Sequence, residues 1–134
     1  MSRSTSSHAV TRGLSISVKA TYSPTHSRPE NSLWFFVYTI TLKNEGPVPV
    51  QLLERHWEIT DGRGEVQHVR GPGVVGKQPV LPPGQSFEYT SGCPLPTPNG
   101  FMQGEYLMVE VQSGASFEAR IAGFPLRRDG LTLN

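Results

Sequence analysis

The chain has 134 residues with 12 basic and 11 acidic side chains, so it is the size of one domain and lacks the basic excess by which nucleic-acid binders neutralise phosphate. One cysteine, Cys93, excludes an internal disulfide and fits a reducing, cytoplasmic compartment, and no apolar run is long enough to insert in a membrane. With 14 glycines and 12 prolines against 36% hydrophobic residues, the composition excludes a helical bundle and favours a core of short strands joined by turns.

The first 13 residues are polar and lack the apolar stretch of a secretory signal, so residues 1–13 are expected to form a flexible N-terminal segment. From Leu14 to Tyr22 the alternation is strict. Leu14, Ile16, Val18 and Ala20 share one face, and Ser15, Ser17, Lys19 and Thr21 the other, which predicts a half-buried strand. Residues 23–32, with Pro24 and Pro29, are too long for a tight hairpin and are expected to carry the chain across or around the sheet. Residues 33–44 form the most apolar strand. Trp34, Phe36, Tyr38, Ile40 and Leu42 line one face, and Phe35 and Val37 add apolar surface on the other. Asn44-Glu45-Gly46-Pro47 reads as a turn.

Residues 48–60 change phase. Val48, Val50 and Leu52 begin one apolar face, while Leu53, Trp57 and Ile59 continue on the opposite one, which predicts a bulge at Leu52-Leu53. Residues 61–64 close a hairpin and 65–70 return. Two loops are expected, at 71–84 and 92–100, around a strand at 86–91. Strands at 103–112 and 116–124 then form a last hairpin, and 125–134 form a loose tail. The sum is about seven strands, the pattern of an all-β, antiparallel two-sheet sandwich over residues 14–124.

Several motifs in fixed order carry a family resemblance. His56-Trp57-Glu58-Ile59-Thr60-Asp61-Gly62-Arg63-Gly64 is followed by Val69-Arg70-Gly71-Pro72-Gly73-Val74-Val75-Gly76. After these come PVLPPGQSF at 79–87, Tyr89-Thr90-Ser91-Gly92-Cys93-Pro94-Leu95 and Gly100-Phe101-Met102-Gln103-Gly104. Together they resemble the ApaG family over residues 14–124. The resemblance implies an immunoglobulin- or fibronectin type III-like sandwich with no catalytic residues and no cofactor. It also brings a genetic association of bacterial members with cobalt tolerance and magnesium efflux, and a protein-binding role for similar domains in larger eukaryotic chains.

The segment 71–76 matches G-x-G-x-x-G, but Val74 and Val75 are poor helix starters and Pro79 follows closely, so no helix N-terminus is expected to meet a phosphate. The plain expectation is an exposed loop that turns and packs closely. Its functional forms are a backbone nest holding an anion beside Arg70 and Lys77, with Gly71, Gly73 and Gly76, or a surface for a partner. Glu54, His56 and Glu58 alternate on one strand face, ordinarily the solvated one, and are the weak candidates for a divalent metal. His68 would stand opposite His56 if the hairpin loop is 61–63, or on the face of Trp57 if it is 61–64. Cys93 reads as a small buried hydrophobe. The expected function is therefore a non-enzymatic binding module. Its partner is an unidentified protein or a second copy of the chain, reached through the two loops or an edge strand; direct binding of an anion or a divalent metal is the alternative.

Overall fold

The computed structural model describes residues 4–128. Nine strands occur among them, and no α-helix. They are β1 Ser4–Thr11, β2 Leu14–Tyr22, β3 Trp34–Asn44, β4 Val50–Asp61, β5 Val66–Pro72, β6 Val80–Leu81, β7 Ser86–Leu95, β8 Asn99–Glu110 and β9 Ser116–Arg127. One sheet has the order β1-β2-β3-β7; the other has β5-β4-β8-β9, with β6 also pairing with β4. All pairings are antiparallel. The chain is thus an all-β sandwich of two antiparallel sheets. No helix among the described residues is long and apolar enough to cross a membrane.

The alternation explains the core. In the β2–β3 ladder, Ile16 faces Leu42 and Val18 faces Ile40, and all four are buried. On β4, Val50 and Leu52 point inward, the register shifts between Leu52 and Glu54, and inward pointing resumes at Trp57. The bulge therefore falls where the phase slip predicts it. The sheets meet through aromatic rings: Tyr38 of one sheet lies 5.4 Å from the ring of Trp57 and 6.4 Å from that of Phe124, both in the other sheet.

Three expectations about extent are corrected. Residues 4–11 are not a flexible segment but the edge strand β1, paired along its length with β2. No residue of β1 is fully buried, so it carries no hydrophobic signal. At the other end, β9 continues through Pro125 and Leu126 to Arg127, and Leu126 is buried; residues 129–134 of the expected tail lie outside the described residues. The strand expected to stop at Ser91 runs on to Leu95. Cys93 and Leu95 are buried opposite Phe36 and Trp34, and the ring of Phe35 lies directly over Gly92. Pro94, lacking an N–H, is tolerated because β7 is an edge strand. The two expected long loops shrink accordingly to 73–79 with 82–85, and 96–98.

Candidate functional site

The two sheets leave two edges. At one, β1 lies against β9, and its inward hydroxyls meet backbone groups of β9. Thr5 Oγ1 donates to the Pro125 carbonyl at 2.6 Å and Ser7 Oγ to the Ala122 carbonyl at 2.7 Å, while Thr11 Oγ1 accepts from the Arg120 N–H at 3.3 Å. At the other edge, β7 faces β5 and β6, and among the described residues no strand pairs across or beyond them.

Residues 73–79 partly fill that second edge. The bulge frees the Leu53 carbonyl, which accepts from the Gly73 N–H at 2.8 Å and from Gln78 Nε2 at 2.9 Å, while the Leu52 N–H donates to Pro79 at 3.1 Å. Between these anchors, Val74 and Lys77 exchange two backbone bonds of 2.8 and 2.9 Å. Val75 and Gly76 make the turn, with φ of 43° and 78°. Val74 is fully buried between the sheet edges; Val75, a β-branched residue in the left-handed region, is 54% exposed at the tip. The G-x-G-x-x-G segment is thus a short hairpin, and it launches no helix. The N–H groups of Gly73, Val74 and Lys77 are committed within the protein. Arg70 stands opposite His56 on the outer face of the sheet, so the structure does not gather Arg70, Gly71, Gly73, Gly76 and Lys77 into one nest.

Beside this hairpin runs a groove made of two cavities of about 260 and about 220 Å³, which share Tyr38, Arg55, Trp57 and Ser91. Val69, Cys93 and Pro94 wall the first; Val74, Val75 and Tyr89 wall the second. Arg55 was not singled out by the sequence, although it stands between Leu53 and Trp57 in the alternation and so shares their face. Its guanidinium lies flat on Gly71, where a Cβ would come within 3.0 Å of both terminal nitrogens. Its Nη1 donates to the carbonyls of Pro72 at 3.1 Å and Gly73 at 2.9 Å. Among the described residues it forms no ion pair.

The other polar groups here are neutral. Burial pushes the hydroxyls of Tyr38, Tyr89 and Tyr106 above the usual phenol range, against the opposing pull of Arg55. The hydroxyls of Tyr89 and Tyr106 bond to each other. Burial pushes the Cys93 thiol up to about 12, so it is protonated at neutral pH and is no nucleophile.

The outer-face candidates are placed differently. The hairpin loop spans 61–65, longer than either register considered from the sequence, and sets His68 opposite Glu58 and Arg70 opposite His56. His68 still shares the face of His56. His56 bonds to Glu105 through Nδ1 and to His68 Nδ1 through Nε2 at 2.9 Å, the two rings lying within 15° of parallel. Glu58 accepts from Gln103 Nε2 at 3.0 Å, and Glu54 is exposed. This is a hydrogen-bonded chain that occupies both ring nitrogens of His56 and Nδ1 of His68. Among the described residues no three His, Cys, Asp or Glu side chains converge as metal ligands.

The sequence model of the ApaG domain matches residues 24–110. The chain belongs to the ApaG family. Protein ApaG of Methylobacterium sp. (strain 4-46) is 57% identical over 118 residues, covering 88% of this chain and 90% of the relative. Protein ApaG of Rhodospirillum centenum is 54% identical over 117 residues, 87% of this chain and 89% of its own length. Among solved structures, a Bordetella pertussis protein that carries the name ApaA is 52% identical. It superposes with a TM-score of 0.82 over 85% of this chain and 92% of its own. A second, from a structural-genomics consortium, is 43% identical with a TM-score of 0.84 over 92% and 93%. Every residue named above as lining the groove lies inside the stretch that the ApaG domain matches, whereas β1 and β9 lie outside it. Four of the five sequence motifs, those beginning at His56, Val69, Tyr89 and Gly100, contribute to its lining.

Proposed function

We propose that this ApaG chain is a non-catalytic binding module that receives an extended segment of a protein partner in the groove between β5 and β7. The observation that carries the reading is the asymmetry of the sandwich. One edge is stitched shut, while the other keeps a groove with an aromatic floor between two strand edges that no strand among the described residues pairs with. Unpaired strand edges offer main-chain hydrogen bonds to an extended peptide, and pockets beside them select its side chains. The neutral tyrosines and protonated thiol give the groove no nucleophile or base, which supports binding over turnover. In this reading no cofactor is used, and the cobalt and magnesium association works through the partner. A cation held by Glu54, His56 and Glu58 is not required.

A photo-crosslinking amino acid at Gln67, exposed at the rim of the groove, tests this against one at Ser6, exposed on the outer side of β1. The expected result is a protein adduct from position 67, mapped to one short segment of the partner, and none from position 6. A segment of the chain itself would identify the partner as a second copy. Adducts from both positions, or from neither, would remove the reading.

A further inference from the structure

We propose that the segment received by the groove carries a carboxylate, from an Asp or Glu side chain or from a free C-terminus, which pairs with Arg55. The proposal rests on the groove reading above and names the chemistry that the groove selects. Arg55 is the one charged residue lining either cavity. It is half-buried, and its charge is unanswered by any carboxylate among the described residues. Two backbone carbonyls hold Nη1, which fixes the guanidinium plane without neutralising it. A guanidinium has five N–H donors in a rigid fork; the pair on Nη1 is taken, and those on Nε and Nη2 remain for a ligand. Tyr38 and Ser91, whose hydroxyls bond to each other, line both cavities beside it, and one O–H of the pair remains to donate.

A partly desolvated cation without a partner is costly, and a ligand that brings the counter-charge removes that cost. The charge count favours a carboxylate over a phosphate. One guanidinium balances one carboxylate, whereas phosphorylated segments are usually met by clusters of arginines. Arg70 is directed to the opposite face of its strand and does not line the groove. Val69, Val74 and Pro94 are apolar, so the residues flanking the acid would be apolar as well.

The test is a selection on the full chain from two random heptapeptide libraries, one displayed with free C-termini and one displayed internally. The expected result is enrichment of Asp or Glu at one internal position, or of binders that need a free C-terminus. Replacing that acid by its amide should weaken binding at least tenfold. Arg55→Gln should weaken it by a similar factor, and the two changes together should cost little more than either alone. That non-additivity separates pairing from a structural role of Arg55. Arg55→Lys, which keeps the charge and loses the fork, should fall between, and thermal melting of both variants verifies the fold. Binders that are blocked by crosslinking at Gln67 yet show no acid and no response to Arg55→Gln would overturn the carboxylate and leave the groove reading standing. Binders that tighten when the acid is replaced by phosphoserine would overturn it in favour of phosphate. Failure of both libraries to yield a groove binder would overturn both readings.

Discussion

The two edges of this sandwich solve the same problem in different ways. Where β1 meets β9, short hydroxyl side chains reach backbone groups directly and tie the two strands together. Where β7 faces β5, only a hairpin of four residues, 74–77, enters the gap, and it leaves a groove on Val74, Arg55 and Trp57. An open strand edge is an aggregation hazard, which proteins contain with charges, prolines and short strands. Here β5 carries exposed His68 and Arg70 and ends at Pro72, β6 has two residues, and β7 contains Pro94. An edge kept open despite that hazard, and guarded on both sides, is a place to look for function. The sealed edge is a place to look for stability.

The sharpest way to break this contrast is to remove the sealed edge. Deleting residues 1–11 strips β1 from β2, uncovers one side of Leu14, Ile16 and Val18, and orphans the β9 groups that its hydroxyls satisfy. The expected loss is most of a domain stability on the order of 5–15 kcal/mol, seen as a collapse of the cooperative urea transition. A truncated chain that melts like the full one would mean that β1 is an ornament and that the two edges do not differ in role.

The next effect is at the open edge. Val74 is fully buried as the plug between the sheets. Val74→Ala removes two methyl groups and leaves a gap there, at a cost of about 2 kcal/mol from lost burial and cavity formation. Hydrogen exchange distinguishes the edges: the amides of Val74 and Lys77, bonded only to each other's residues, should exchange much faster, while those of β1 should keep their protection. Loss of protection at both edges together would show that the plug supports the whole sandwich.

Sheet class and most strands were legible because the core obeys a period of two. Leu14 to Ala20 on β2 and Phe36 to Leu42 on β3 announce their buried faces, and the slip at Leu53 announces the bulge. What escaped had other causes. β1 is held by pairing and by Thr5, Ser7 and Thr11, and a row of hydroxyls reads as solvent-facing when no partner strand is known. The continuation of β7 was hidden by Gly92 and Pro94, loop formers that are tolerated because Phe35 covers one and an unpaired edge excuses the other. The glycine segment was rightly read as turning without a helix, but its anchoring on Leu53 depends on a carbonyl that only the bulge exposes. Arg55 was the costliest omission. A cation in an alternating strand reads as surface, although Arg55 falls on the face that Leu53, Trp57 and Ile59 share.

The smallest expected effect has the opposite sign and separates the two roles within one hairpin. Val75 holds φ of 43°, a region that costs a β-branched residue on the order of 1–3 kcal/mol. Asparagine adopts that region readily, so Val75→Asn should keep the turn and raise stability by about 1 kcal/mol, read as a higher urea midpoint with an unchanged slope. The exposed apolar tip beside the groove would be lost at the same time. Weaker binding of a groove peptide by a more stable protein would show that the strain is kept because valine at the tip contacts the ligand. A stabilised variant that binds as well as the parent would show that Val75 is dispensable, and that recognition lies deeper, at Arg55 and the floor on Trp57.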